Sequence, residues 1–277
     1  MTPGAPAGNI RERGAGDHTM ILSAVVVTQN EEKNIARCLE SVRFADEIIV
    51  VDAHSKDATV DIARQFGARI FLREWDGFAS QKQFAIDQAL GEWVLLIDSD
   101  EEASEALAGE IGRCLGAGVD KSVGAFRIPR SNFFLGKHIP YGPWSDDRQV
   151  RLFRRSWGRM VRRPVHEGVE TDGELLDLTQ PLYHYTHQSL QESFQRLNRY
   201  TTLEAGERVD RRKIGLGDVV VLPMGVFLRY YISGRCYRAG VHGYLLSATT
   251  ALYRSILYLK IYLLQRKKRD DSLFKTT

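Results

Sequence analysis

Three short apolar runs in the first hundred residues, each followed by polar residues, constrain the fold most strongly. Residues 21–27 are almost continuously apolar, and similar runs occupy residues 47–51 (EIIVV) and 93–97 (WVLLI). Apolar runs of this length are typical of strands that are buried on both faces. Apolar residues at helical spacing predict intervening and following helices over residues 35–42, 58–66, 78–90 and 104–115. This alternation predicts a parallel sheet with helices on both faces.

The two ends of the chain differ from this alternating part. The first 19 residues are rich in glycine, alanine and proline and contain no apolar run, which predicts a disordered extension and not a signal peptide. Prolines interrupt the short strands predicted between residues 124 and 185, and a polar helix is predicted over residues 188–208. We therefore place the main domain at residues 20–208 and a separate helical tail at residues 209–277.

The tail combines dense apolar residues with cations. Its longest nearly uncharged segment, residues 243–264, contains Arg254 and Lys260, so no uncharged stretch reaches the ~20 residues that a spanning helix needs. From residue 196 to the end there are sixteen Lys or Arg against six Asp or Glu. A basic, apolar tail suits an anionic membrane surface, and packing on the main domain or on an oligomer partner explains it equally well. The net charge of +3 predicts no general affinity for nucleic acid.

Acidic residues follow the predicted strands at the point where each strand ends. Asp52 follows the second run, and Asp98 and Asp100 follow the third. Ligands of an open parallel sheet bind at this edge, and carboxylates gathered there repel one another unless a cation or hydrogen-bond donors lie among them. A hard divalent ion suits these oxygen ligands and would hold a substrate pyrophosphate. A solvated acidic turn that caps the next helix explains the same pattern equally well.

Several motifs, in order along the chain, carry a resemblance to a known family. The nucleotide-binding half of the inverting glycosyltransferases of family 2, which have the GT-A fold, resembles SAVVVTQNEEKNIARCLESV, ADEIIVVDAHSKDAT and QKQFAIDQALGEWVLLIDSDEE. Bacterial lipopolysaccharide core glycosyltransferases of that family, typically β-1,4-glucosyltransferases, are similar to RSNFFLGKHIPYGPWSDDRQVRLFRR, RPVHEGVE, LYHYTHQSL and NRYTTLEA. The resemblance covers about residues 20–206. It implies an α/β fold of GT-A type, with a Rossmann-like mixed sheet flanked by helices and a hydrophobic, basic helical appendage at the C-terminus.

The resemblance also implies a donor site and a metal site. The donor site would be formed by Thr28, Asn30, Glu31, Asp52, Lys82 and Asp98. In it, Asp52 would accept a hydrogen bond from the nucleobase and Asp98 would approach the ribose, whereas Lys82 is either a phosphate contact or a surface lysine. Asp100 would bind Mg²⁺ or Mn²⁺ on the pyrophosphate. His184 is either a further metal or phosphate ligand or a structural histidine.

The base and the acceptor site depend on residues of the second half. Inversion needs a carboxylate that takes the proton of the acceptor hydroxyl. Glu167 in the sequence VHEG is our first choice, and Asp147 is the second. Arg148, Arg151 and Arg163 are expected to bind a phosphorylated acceptor or the leaving diphosphate, or else to form ordinary surface pairs.

Together with the resemblance, these features predict a metal-dependent transfer of one sugar to a hydroxyl of a lipid-linked glycan such as the lipopolysaccharide inner core. The resemblance implies glucose from UDP-glucose as the donor. The Gln-x-x-Arg-Trp motif of processive family members is absent from the sequence, which favours transfer of a single sugar. Two alternatives stay open: transfer to polyprenyl phosphate, and a non-catalytic protein that binds sugar nucleotides or glycans. We expect a cytoplasmic protein, peripheral to the inner face of the cytoplasmic membrane, with oligomerisation left open.

Overall fold

The first half of the chain builds the parallel part of one large sheet. The computed structural model describes residues 21–161, 168–186 and 189–273, the last four of these by their backbone alone. Its first elements are β1 (Leu22–Thr28), α1 (Ile35–Ser41), β2 (Glu47–Asp52), α2 (Thr59–Gln65), β3 (Arg69–Leu72), α3 (Phe78–Asp87) and β4 (Trp93–Asp98). The strands lie in the order β3-β2-β1-β4 and run parallel, with Val27 beside Asp98 and Thr28 beside Asp52. The carboxyl ends of β1, β2 and β4 therefore meet at one edge, as predicted.

The second half extends this sheet with strands of both directions. Its elements are β5 (Glu101–Ala103), α4 (Glu105–Gly116), β6 (Val123–Phe134), β7 (Lys137–His138), β8 (Arg148–Arg154), β9 (Gly158–Met160), β10 (Val169–Thr171), β11 (Glu174–Asp177) and β12 (Leu182–His184). The order continues β4-β8-β6-β12-β5, and β8 is antiparallel to both β4 and β6. The predicted mixed sheet flanked by helices is confirmed, because β8 reverses the direction that the first four strands share.

The core lies on both faces of the sheet. On one face, Val26 and Ile97 pack with Leu39 of α1 and with residues of α4. On the other face, Val25 and Leu96 pack against α3. All seven residues of β1 are buried, which explains why its sequence shows an apolar run and no alternation. Each fully buried Val, Leu or Ile side chain contributes about 1.5–3 kcal/mol, so this core fixes the edge that carries the acidic residues.

Helix boundaries agree with the sequence to within a few residues. Helix α3, expected over residues 78–90, ends at Asp87. Helix α5 (Leu190–Arg208) begins two residues later than expected, because Ser189 caps it by accepting a hydrogen bond from the backbone N–H of Glu192 at 3.1 Å.

The C-terminal segment is helical, as expected. It contains α6 (Leu216–Leu228), a π-helical turn (Arg229–Ser233), a 3₁₀ turn (Cys236–Ala239) and α7 (Val241–Leu273). Helix α7 packs against both α5 and α6, with Leu257 and Ile261 buried against Ala205 of α5. The domain boundary at residue 208 stays a prediction. Among the described residues, one segment, Leu216–Ser233, has the length and composition of a membrane span, and only 6% of it is buried.

Candidate functional site

A cavity of about 760 Å³ lies beyond the carboxyl ends of β1 and β4. One wall is formed by the ends of these strands, including Thr28, Asp98 and Asp100. The opposite wall comes from α5 and from the first half of α7, so the predicted tail contributes to the site. This is the position at which open α/β sheets bind ligands, and the volume suits a nucleotide-sized molecule.

Asp98 is fixed by two cations beneath the cavity. Its Oδ1 lies 2.7 Å from Nζ of Lys82, and its Oδ2 lies 2.6 Å from Nη2 of Arg151. The same Arg151 nitrogen lies 2.6 Å from Oε1 of Glu101, and Glu101 accepts the backbone N–H of Asp98 at 2.9 Å. Burial acts to raise the pKa of Asp98, but Arg151 and Lys82 outweigh it and hold that pKa well below its ordinary value. Asp98 is therefore ionised and held in one orientation.

Asp100 faces a cation and an imidazole across the cavity. Its Oδ2 lies 3.4 Å from the guanidinium nitrogens of Arg196 and 3.7 Å from Nε2 of His184. The backbone carbonyl of Asp100 accepts the N–H of Tyr185 at 2.9 Å, which holds the turn against β12. Two residues 84 positions apart in the sequence, Asp100 and His184, therefore place a carboxylate oxygen beside an imidazole nitrogen.

These residues suit a divalent ion whose remaining ligands come from water and a substrate. Within the described ranges, no group of three or more His, Cys, Asp or Glu side chains has an arrangement that holds a metal ion. Asp100 and His184 alone supply two neighbouring ligand atoms at the cavity wall. Mg²⁺ is commonly held by one or two carboxylates together with water and substrate phosphates. The pair therefore suits an ion shared with a diphosphate and does not suit a closed structural metal site.

Comparison with known proteins identifies the family. The sequence pattern of glycosyl transferase family 2 matches residues 23–163, about half of the chain. The chain belongs to this family. This glycosyltransferase is 31% identical over 264 residues to the lipopolysaccharide core biosynthesis glycosyltransferase LpsC of Rhizobium meliloti. The match covers 91% of this chain and 97% of LpsC.

Two further similarities cover most of this glycosyltransferase. An uncharacterized glycosyltransferase of Rickettsia typhi is 29% identical over 262 residues, which covers 90% of this chain and 89% of that protein. The protein in the crystal structure of S. aureus TarS 1-349 in complex with UDP-GlcNAc has 14% sequence identity to this chain. The match covers 90% of this chain and 92% of the TarS chain, with a TM-score of 0.44.

Four of the six expected donor residues of the glycosyltransferase line the cavity. Thr28, Glu31, Lys82 and Asp98 all contribute to its wall. Burial raises the pKa of Glu31, although a hydrogen bond from Asn34 opposes this effect. Lys82 is buried and paired with Asp98, so it is not a surface lysine. The structure brings these four residues together at the ends of β1 and β4.

The other two expected donor residues have partners outside the cavity wall. Asp52 is fully buried, and its carboxylate accepts hydrogen bonds from the backbone N–H and the hydroxyl of Ser55. Asn30 adopts a φ of 54°, and its side-chain oxygen accepts the backbone N–H of Lys56 at 2.8 Å. Asn30 therefore joins the loop after β1 to the loop after β2, whereas Asp52 holds the loop after β2. Their contact with a nucleobase stays a prediction.

Asp147 is held by donors on both of its carboxylate oxygens. Its Oδ2 accepts hydrogen bonds from Arg130 and Asn132, and its Oδ1 accepts one from Gln149 at 2.9 Å. Burial acts to raise the pKa of Asp147, but Arg130 and these hydrogen bonds lower it overall. A carboxylate held in this way is a weak proton acceptor, which favours Glu167 as the base. Glu167 lies outside the described residues.

The three arginines expected at the acceptor site have different surroundings. Arg151 is buried between Asp98 and Glu101, so it holds these two carboxylates and is not available to an acceptor. Arg148 is exposed, and its Nε lies 3.2 Å from Oδ1 of Asp146. Arg163 lies outside the described residues. Of the two that the structure describes, Arg148 has the side chain that is open to a phosphorylated ligand.

Sequence reasoning missed Arg196, Glu101 and Asn132. Arg196 lies on α5, and its one available signal was helical spacing, because Arg196 and Tyr200 fall on one face and both line the cavity. Glu101 gave no signal, since DSDEE has the composition of a turn, whereas Glu101 begins the short strand β5. Asn132 sits inside the long strand β6, where a single buried amide has no characteristic spacing.

Proposed function

We propose that this glycosyltransferase transfers one sugar, glucose from UDP-glucose, to a hydroxyl of a lipid-linked glycan such as the lipopolysaccharide inner core, with inversion. The observation that carries the proposal is the cavity in which Asp98 and Asp100 face Lys82, Arg196 and His184. Alternating carboxylates and cations suit a nucleoside diphosphate, whose ribose needs acceptors and whose phosphates need cations. The choice of acceptor is supported by the name of the Rhizobium meliloti relative, which places that protein in lipopolysaccharide core biosynthesis.

In this proposal Asp100 and His184 hold Mg²⁺ or Mn²⁺ against the donor diphosphate. The ion, when bound, supplies positive charge that neutralises the leaving UDP. Lys82 and Arg151 keep Asp98 ionised, so that its carboxylate accepts a hydrogen bond from the ribose.

The base acts on the opposite side of the donor sugar. Glu167 takes the proton of the acceptor hydroxyl while that oxygen forms the new bond to the anomeric carbon. The bond from the anomeric carbon to the diphosphate oxygen breaks in the same step, so its electron pair leaves with UDP and the configuration inverts.

The surface of α6 supports attachment to the inner face of the cytoplasmic membrane. Val220, Val221 and Met224 are each more than 60% exposed. Arginines 229, 235 and 238 are exposed at the C-terminal end of this apolar segment. The 18 residues of Leu216–Ser233 extend about 27 Å when helical, with cations beside the apolar face. An in-plane element with an apolar face and flanking cations suits an anionic lipid surface, where a lipid-linked acceptor also lies.

The proposal is tested by measuring donor hydrolysis and transfer across a panel of nucleotide sugars. The reactions contain Mg²⁺, Mn²⁺ or chelator, and lipopolysaccharide inner core as the acceptor. We expect turnover of UDP-glucose that stops with chelator and falls about 1,000-fold or more in Asp100→Ala, since the metal contributes several kcal/mol to such reactions. Asp172→Ala is the matched control, because Asp172 is exposed beside Gly124, at the opposite end of β6 from Arg130, which lines the cavity.

Three outcomes separate the alternatives. Full activity in Glu167→Gln, with polyprenyl phosphate as the acceptor, would favour transfer to a phosphate, which needs no general base. Binding of UDP-sugar without turnover of any donor would favour a non-catalytic binding protein. Equal turnover with chelator and with metal would contradict the metal-dependent mechanism while leaving the transfer itself intact.

A further inference from the structure

Asn132 lies between two residues whose roles the sequence left open. Strands β6 and β12 run parallel, and their register places Asn132 directly beside His184. The side-chain amide of Asn132 is buried, with Nδ2 at 2.9 Å from Oδ2 of Asp147 and Oδ1 at 2.6 Å from Nδ1 of His184. One amide therefore connects a carboxylate to the imidazole that faces Asp100.

The two hydrogen bonds that join Asp147, Asn132 and His184 permit only one placement of their protons. An ionised carboxylate only accepts hydrogen bonds, so the amide nitrogen of Asn132 must face Asp147 and its oxygen must face His184. The amide oxygen also only accepts, so Nδ1 of His184 must carry the proton. In the neutral imidazole the lone pair then belongs to Nε2, which lies 3.7 Å from Oδ2 of Asp100.

Asp147 is itself fixed by its neighbours. Nη2 of Arg130 lies 2.8 Å from Oδ2 of Asp147, and Nη1 of Arg130 lies 3.2 Å from Oε1 of Glu101. The backbone N–H of Arg130 also donates to the backbone carbonyl of Asp147 at 2.7 Å. Because both its backbone and its carboxylate are held, Asp147 presents a fixed acceptor to Asn132.

We propose that Asp147 and Asn132 are positioning residues that act through His184. They select the tautomer with the proton on Nδ1 and so present the Nε2 lone pair to a divalent ion beside Asp100. The inference rests on the proposed function only for the identity of that ion. Residues that orient a metal-binding histidine in this way typically change metal affinity 10–100-fold when they are replaced.

The first test reads the tautomer directly, without metal. The protein is labelled with ¹⁵N-histidine, and long-range ¹H–¹⁵N spectra are recorded at pH 8, with His184→Gln used to assign the resonances. We expect His184 to be protonated on Nδ1 in the wild type. In Asn132→Leu, which removes the acceptor, the proton should move to Nε2, and Asp147→Asn should give a mixture because the amide is then free to turn.

Asp146→Asn is the matched control. Asp146 is the neighbouring carboxylate, its side chain is 84% exposed, and its Oδ1 is paired with Arg148. This variant should keep the wild-type tautomer. A wild-type His184 protonated on Nε2 would overturn the proposal by itself, even if the variants fail to fold, and so would an unchanged tautomer in a folded Asn132→Leu.

The second test separates this inference from the proposed function. Binding of Mn²⁺ in the presence of UDP is measured by electron paramagnetic resonance. We expect affinity to fall roughly 10–100-fold in Asn132→Leu and Asp147→Asn and to stay unchanged in Asp146→Asn. If the tautomer shifts as expected but the wild type binds no Mn²⁺ with UDP, the positioning role stands and the metal-dependent function fails. Unchanged affinity in variants whose tautomer has shifted would overturn the proposed effect on the metal.

Discussion

Apolar side chains are buried in the parallel sheet but largely exposed in part of the helical tail. In β1, β2 and β4 the apolar runs are buried on both faces, and the buried Arg151 of the neighbouring β8 is paired with Asp98 and Glu101. In the tail, Val220 and Met224 are more than 60% exposed. In the sheet, apolar side chains are buried and charged side chains are paired within the chain itself. In the tail, apolar side chains form an exposed surface that suits binding to a membrane or to another protein.

Helix α7 connects the two regions. One face of its first half lines the cavity, and another face of the same half forms an apolar groove with α6. Lys260 of α7 donates hydrogen bonds of 2.7–2.9 Å to Asn198, Thr201 and Thr202 of α5. Since α5 also carries Arg196 to the cavity, the tail is attached to the site and is not a loose appendage.

The largest expected effect concerns two arginines of β8. Arg151→Met should lower the free energy of unfolding by about 3–5 kcal/mol, because Asp98 and Glu101 lose a buried partner. Arg148→Met is the matched control, since Arg148 is exposed and pairs only modestly with Asp146, and it should cost about 0–1 kcal/mol. Urea unfolding followed by circular dichroism measures both. Equal losses in the two variants would show that the buried network is not what stabilises this edge of the sheet.

The next largest expected effect is on membrane binding by the exposed apolar face of α6. The triple variant Val220→Ser, Val221→Ser, Met224→Ser should weaken binding to phosphatidylglycerol vesicles roughly 100-fold, at about 1 kcal/mol for each side chain. Binding is measured by co-sedimentation, and donor hydrolysis should stay at the wild-type level.

A double variant of the sheet region is the matched control for the tail. Leu175→Ser, Leu176→Ser changes two apolar residues of β11 that are each 37% exposed. This variant should bind vesicles as the wild type does. Vesicle binding that survives in the tail variant, together with a change in oligomeric state measured by light scattering, would assign the exposed face to a protein partner.

The architecture was predictable from the sequence, because apolar runs and the acidic residues that follow them are features of short sequence segments. Local patterns alone predicted the site only at strand ends, as for Asp98 and Asp100, whereas Thr28, Glu31, Lys82 and His184 were predicted from the family resemblance. The expected roles of Arg151, as a ligand of the acceptor or the leaving diphosphate or in a surface pair, were wrong. The sequence of β8 does not show that this side chain contacts Asp98 on the neighbouring strand β4. The contact between Asp100 and Arg196 depends on how α5 packs across the cavity, which no local pattern contains.

A smaller effect tests whether the tail and the site are mechanically joined. Lys260→Met should lower the free energy of unfolding by about 1–2 kcal/mol, because a charged donor to α5 is lost. It should also weaken UDP binding a few-fold, since α5 positions Arg196. Lys267→Met is the control, because Lys267 is exposed on the same helix. Isothermal titration calorimetry measures UDP binding, and an unchanged affinity in a destabilised Lys260→Met would separate the two regions.

The smallest expected effect is a difference in acid sensitivity. The pKa of Asp147 is depressed in the folded protein, against burial, by Arg130 and by hydrogen bonds from Gln149 and Asn132. A depressed carboxyl pKa contributes stability that is present above the unfolded value of about 3.9 and is lost as pH falls through the folded value. Unfolding temperature should therefore be level from pH 7 to pH 5 and should fall below about pH 4, less steeply in Asp147→Asn than in the wild type. Asp218 of α6 also has a depressed pKa, but its side chain is partly exposed and its partner Arg212 is exposed, so Asp218→Asn should leave the acid limb nearly unchanged. If Asp218→Asn flattened the limb as much as Asp147→Asn, acid would act on the tail as strongly as on the sheet, and the contrast between the two regions would not extend to their ionisable groups.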